Sequence, residues 1–200
     1  MTAVEVVRPL SSKGRQTRRA VEDAARKLFA ERGFHGTTLA DITSAAGKSP
    51  AAFYRYFTDK EDLLAALADS FLDEVRDELS QPPIAGDYFV SAVSTYWKTF
   101  KPNIGIMIGV DQLAATQPRF ALLRNRFRRF GTDIVHSSVR KAQQQGYAVE
   151  LDADHIALAI ALLFERFTSV SLTEGLSDEA AIATLSTIWK KTLYGQSKEK

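Results

Sequence analysis

Between Thr37 and Lys60 the chain sets hydroxyls, phenols and cations at short intervals: Thr37, Thr38, Lys48, Ser49, Tyr54, Arg55, Tyr56 and Lys60. The long donors among them, Tyr54, Tyr56 and Lys60, have the reach to grip phosphate oxygens. The small residues between them, Ala51 and Ala52, let a helix backbone come close to base edges. Upstream lie Lys13, Arg15, Arg18 and Arg19. Their contact with a nucleic-acid backbone adds affinity but no sequence information. Together these residues suggest recognition of double-stranded DNA. The plainer alternative is the solvated polar face of an ordinary helical bundle. The functional alternative is a helical ligand-binding or interaction module that does not read DNA.

Catalysis finds little support. With no cysteine there is no disulfide framework, thiol nucleophile or thiolate metal site. His35, His136 and His155 are too scattered to form a recognisable metal set. Ile104 to Gly109 contains two glycines but neither the lysine-serine ending nor the flanking strand of a phosphate-binding loop. No nucleophile-elbow motif occurs. We therefore expect no enzyme, no cofactor and no metal.

The elements that must position the donors follow from local signals. Thr38 can cap a helix with Asp41 three residues on, and Leu39, Ile42, Ala45 and Ala46 give that helix an apolar face. Gly47 is suited to the left-handed conformation that ends it. Ser49-Pro50 then opens a second helix of about two turns, to Phe57, with Phe53 and Phe57 inward. Thr58, with Glu61, would cap a third. Two short helices joined by a glycine-containing turn are a helix-turn-helix, whose second helix enters the major groove. A preceding helix from about Gly14 carries Val21, Ala24, Ala25, Leu28 and Phe29 on one face. Gly33 ends it, and Phe34 should plug the three-helix core.

The run GFHGTTLADITSAAGKSPAAFYRYFTDKEDLL, ending at Leu64, resembles the DNA-binding domain of the tetracycline-repressor (TetR) family. The likeness lies in G-F-x-G-T-T, I-x-x-A-A-G, F-Y-R-Y-F and K-E-D-L-L, and covers roughly Arg15 to Leu64. It implies a transcriptional regulator, a repressor that binds a palindromic operator as a homodimer and is released by a small lipophilic ligand.

The rest of the chain fits an all-α protein of about nine helices: a helix-turn-helix domain over residues 1–60 with a flexible N-terminal arm, then a helical ligand-binding and dimerisation domain over 61–200. Residues 1–60 carry eleven Lys or Arg against six Asp or Glu, a net +5, whereas 61–200 carry a net −3. A basic first third suits nucleic-acid binding. A long helix from Asp59 to about Leu79 should link the two parts, broken by Pro82, Pro83 and Gly86. Gly105 and Gly109 suggest a short, irregular helix over 104–116. Arg124, Arg126, Arg128 and Arg129 lie beside an apolar stripe and are expected to be solvated or paired. Phe71, Val93, Trp97, Phe100, Met107, Phe127 and Phe164 are the candidate walls of a site for a small apolar ligand, a site that the resemblance chiefly implies. Asp154 to Glu174 is apolar nearly all round and must be covered on more than one side. We expect a homodimer through Leu158, Leu162, Phe167, Leu185, Trp189 and Leu193. The uninterrupted apolar run in this helix, Ile156 to Phe164, is too short to cross a bilayer. With no signal-peptide pattern at the N-terminus, no membrane and a cytoplasmic location are expected.

Overall fold

The computed structural model describes residues 11–79 and 87–195. Those residues form α-helices joined by turns, with one 3₁₀ segment and no strand among them. The expected flexible arm, the break at Pro82, Pro83 and Gly86, and the polar tail past Gly195 lie outside the described residues.

The head begins with α1, Ser12–Arg32, opened by the Ser11 hydroxyl, which accepts from the Gly14 N–H, and closed by Gly33 at φ 73°. Its apolar face buries Val21, Ala25, Leu28 and Phe29. Next comes α2, Leu39–Ala45, whose capping box is complete: the Thr38 hydroxyl accepts from Asp41 N–H at 3.1 Å, and the Asp41 carboxylate accepts from Thr38 N–H at 2.9 Å. The buried face of α2 holds Ile42 and Thr43, while Ala45 is exposed, contrary to expectation. Thr43 tolerates burial because its hydroxyl donates to the carbonyls of Leu39 and Ala40. Gly47 takes φ 60°, as its place after α2 requires. The α-helical part of the second helix, α3, is only Pro50–Phe53, shorter than the two turns expected. The chain still coils onward, since Phe57 N–H donates to Phe53 O at 3.1 Å.

Helix α4, Lys60–Leu79, is capped by Asp59 and Asp62 rather than by Thr58 and Glu61. Asp59 accepts from Asp62 N–H, and the Asp62 carboxylate accepts from Thr58 N–H. A carboxylate is the stronger partner for the positive end of a helix, so the box shifts by one residue. The body then comprises α5 (Tyr88–Phe100), a 3₁₀ turn (Lys101–Asn103), α6 (Ile104–Ala114), α7 (Pro118–Gln144), α8 (Ala153–Glu174) and α9 (Asp178–Tyr194).

Two hydrophobic clusters hold the chain together. The first joins Phe29, Phe34 and Phe53 of the head to Leu64, Leu67 and Phe71 of α4, Ile106 and Val110 of α6, and Phe120 and Phe127 of α7. Apolar packing therefore continues across residue 60 from the head into the body. The second cluster joins α5, the later part of α7, α8 and α9 around Val93, Val139, Ile160 and Trp189. Helix α6 is regular, contrary to expectation, because its glycines are its contact face. A Cβ on Gly105 would lie 2.3 Å from the carbonyl carbon of Phe29, so α1 and α6 cross backbone against backbone. Arg26 of α1 reinforces this junction, donating to the Glu74 carboxylate and to Asn103 Oδ1.

By length and composition alone, the 20 residues Ala153–Leu172 of α8 are long and apolar enough to cross a membrane, a property that core helices share. One side of α8 packs on α7 and α9, with Ala157 and Ile160 buried; on the other, Leu158 and Leu162 stay about 40% exposed.

Candidate nucleic-acid interface

The turn from α2 into α3 lies against the start of α1, and together they form a groove. Ser11, Lys13, Gly14 and Thr17 line it from α1; Gly47, Lys48, Ser49, Ala52, Arg55 and Tyr56 line it from the helix-turn-helix. Three cations and a phenol thus converge on one concavity. Ser49 caps α3 by accepting from Ala52 N–H at 3.2 Å. Phe53, fully buried, anchors the helix from beneath and contributes roughly 1.5–3 kcal/mol by leaving water. The opposite side of α3 is open: Ala51 and Arg55 are exposed, and Tyr54 is 60% exposed with its ring edge against Phe53. Lys13, Arg15 and Thr38 are exposed as well. An exposed helix face with small residues at its start, rimmed by long donors, has the shape that a major groove accepts.

Besides the capping hydroxyls of Thr38 and Ser49, the candidate DNA contacts Thr37, Lys60 and Arg18 are engaged within the chain. Thr37 is fully buried, and its hydroxyl donates to Gly33 O at 2.8 Å, so it fixes the α1–α2 turn and cannot reach a ligand. The Lys60 ammonium donates to Phe34 O at 2.8 Å and Thr37 O at 2.7 Å, over the Phe34 ring. Partial burial lowers its pKa, opposed by the charge of Glu61. Arg18 pairs with Glu22 at 2.8 Å and lies over Phe57. Spacing reveals the Arg18–Glu22 pair, one turn apart on α1, but not the carbonyls that Lys60 binds, which lie far off in sequence.

In the body, a cavity of 90 Å³ opens between α5, α6, α7, α8 and α9. Of the candidate ligand residues, Phe100, Met107, Phe127 and Phe164 line it. Phe71, Val93 and Trp97 do not. Phe71 packs behind Phe100 and Phe127 in the first cluster, and Val93 and Trp97 are sealed in the second. The wall that sequence reasoning missed is Tyr96, Ile134, Val135, Arg128 and Glu165, with Trp189. Tyr96 stacks on Phe100 at 4.2 Å and shares a hydrogen bond with Thr168 Oγ1; burial pushes its phenol well above the ordinary range. Arg126 pairs with Asp69, and Arg128 with Glu165 at 3.7 Å, as expected for charges beside a core helix.

The candidate dimer residues divide. Leu158 and Leu162 are open, and Ile188 of α9 is 38% exposed. Leu185, Trp189 and Leu193 are buried in the chain's own second cluster, so they cannot form an intersubunit surface. Phe167 is partly buried against the same cluster. On α9 the apolar stripe faces inward, because α5 and α7 take it up.

Fold and groove together define an all-α protein with a helix-turn-helix head on a helical body. Residues 22–67 match the family described as bacterial regulatory proteins, tetR family. Among curated relatives, the HTH-type transcriptional regulator TtgR of Pseudomonas putida is 40% identical over 76 residues, an alignment that takes in 38% of this chain and 36% of TtgR. The chain thus spans little more than a third of that relative's length. UidR of Escherichia coli, also an HTH-type transcriptional regulator, is 28% identical over 145 residues, covering 68% of this chain and 71% of UidR. The crystal structure of a tetR-family bacterial regulatory protein from Rhodococcus RHA1 superposes with a TM-score of 0.70 at 20% identity, over 92% of this chain and 98% of that one. That likeness extends the shared fold through the body.

Proposed function

We propose that this protein is a DNA-binding transcriptional repressor that docks on a palindromic operator as a homodimer and leaves it when a small apolar ligand enters the body. The groove between α1 and α3 carries the reading: Lys13, Lys48 and Arg55 converge beside an open recognition helix whose first residues are small. In this reading Ser49, Ala51, Lys48 and Arg55 lie nearest the bases, and Tyr54, Tyr56, Lys13 and Arg15 hold phosphates. Residues 1–60 form the DNA-binding part and 61–200 the ligand-binding and dimerising part. The open apolar residues Leu158, Leu162 and Ile188 support a second copy as the cover of α8 and α9, and an operator-binding protein belongs in the cytoplasm.

Ligand coupling runs through the shared core. Phe127 lines the cavity and packs on Phe71 of α4, the helix that leaves the head. A ligand shifts operator affinity only by its difference in affinity between the two states; about 1–3 kcal/mol gives roughly 5- to 150-fold. The test is selection from a pool of random duplexes. The expected product is an inverted repeat whose half-sites are spaced by about one helical turn or a multiple of it. Recovery of no common sequence overturns the reading.

A further inference from the structure

Of the residues that line the body cavity, only Arg128 and Glu165 carry formal charge. The remainder is alkyl or aromatic, with the one phenol, Tyr96, already hydrogen-bonded to Thr168. The two charged groups are incompletely matched. Arg128 Nη2 stands 3.7 Å from Glu165 Oε1, longer than a good charge-assisted hydrogen bond. Arg128 Nε is buried with no hydrogen-bond partner, as is Arg124 Nε one turn earlier on α7. A buried N–H without an acceptor is costly, and in a guanidinium it belongs to a planar fork shaped for a carboxylate. Arg124 and Arg128 act on both Glu165 and Asp111, and Arg166 acts on Asp111 as well.

We propose that the ligand of this cavity is a small apolar monocarboxylate whose carboxylate binds Arg128 and whose alkyl or single-ring body lies among Phe100, Met107, Phe127 and Phe164. This rests on the reading of the cavity as the ligand site and adds the chemistry of the ligand. An anion offsets the positive charge of the Arg128 guanidinium, which Glu165 meets only at 3.7 Å. A lipophilic cation would instead have to compete with the tethered guanidinium for Glu165. Size limits the body of the ligand. An apolar cavity of about 150 Å³ takes a benzene ring, so 90 Å³ admits a short branched chain or, with Met107 yielding, one ring. A long acyl chain does not fit.

Three probes of one branched shape separate the possibilities: isovalerate, isovaleramide and isopentylammonium, titrated into the full-length protein by calorimetry. Isovalerate should bind about tenfold or more tightly than the amide, the difference expected for a charge-assisted hydrogen bond, and the ammonium more weakly still. Arg128→Gln should abolish the preference for the acid. Glu165→Gln should strengthen acid binding, because it removes the carboxylate that competes for the guanidinium, a gain that a merely structural role for Glu165 does not give. Should Arg128→Gln fail to fold, judged by circular dichroism, the Glu165→Gln result decides. Equal or tighter binding of the amide or the ammonium overturns the acid assignment while leaving the cavity as a ligand site. Failure of all three probes to bind overturns both.

Discussion

Lys60 has three N–H bonds to give and spends two on the carbonyls of Phe34 and Thr37. One is left for a phosphate. The side chain therefore ties the start of α4 to the turn that precedes α2, and its first contribution is to the placement of the helix-turn-helix. Lys60→Ala should lower the unfolding free energy by about 1–2 kcal/mol, measured in urea, besides weakening DNA binding. Lys48→Ala, on the rim of the groove, should leave the urea midpoint unchanged. An unaltered midpoint in Lys60→Ala contradicts the assignment. Single residues were legible in the sequence where their partner is local: Thr38 with Asp41, Ser49 with Ala52, Gly47 at positive φ. Thr37 and Lys60 were not, because the carbonyls they bind come from the ends of other elements, and a donor looks the same in sequence whether it faces DNA or its own backbone.

At the scale of elements, four helices carry at their cap or in their first turn an aspartate whose carboxyl is held below its ordinary value of 3.8: Asp41 chiefly by the Thr38 hydroxyl, Asp87 by Lys190, Asp152 by the His155 backbone N–H, and Asp178 by Lys101. A depressed carboxyl pKa adds stability that is present above the unfolded value and lost as pH falls through the folded one. Stability should thus hold from neutrality to about pH 5 and fall below about pH 4. Replacing Asp87 and Asp178 together with Asn should reduce the loss between about pH 5 and pH 3, read from urea midpoints; a loss equal to that of the unmodified protein contradicts this cause. Of these helix starts, that of α2 was legible from sequence, because Thr38 and Asp41 cap it within one turn. The regular course of α6 was not, since Gly105 can break a helix or let it close on another, and here Phe29 of α1 decides which. The walls of the cavity were half legible for a similar reason. Every bulky aromatic on an inward stripe is a candidate, and only the crossing of α5, α7 and α8 separates those that line the space, such as Phe127 and Phe164, from those packed behind, such as Phe71 and Val93.

In the whole molecule, the apolar sides of α8 and α9 have different fates. The α9 stripe is absorbed by its own chain at Leu185, Trp189 and Leu193, whereas Leu158 and Leu162 of α8 remain open. If a second copy covers them, Leu162→Glu buries an unpaired charge at the interface and should turn the dimer into monomer in sedimentation. Its core packing should survive, because Leu162 faces outward. An unaltered dimer contradicts the use of this face. The all-round apolar character of α8 was plain in the sequence; which neighbours take up α9 depends on its crossing with α5 and α7. The head's role has a more direct test. Affinity for the selected duplex, measured by fluorescence anisotropy over a series of KCl concentrations, should fall with a log–log slope of about −0.9 for each phosphate neutralised. For Lys13→Ala, that slope should become shallower by about one phosphate per head, with binding weakened alike on specific and unrelated duplexes. A slope that does not change in Lys13→Ala would contradict the assignment of the α1–α3 groove as the DNA-binding surface.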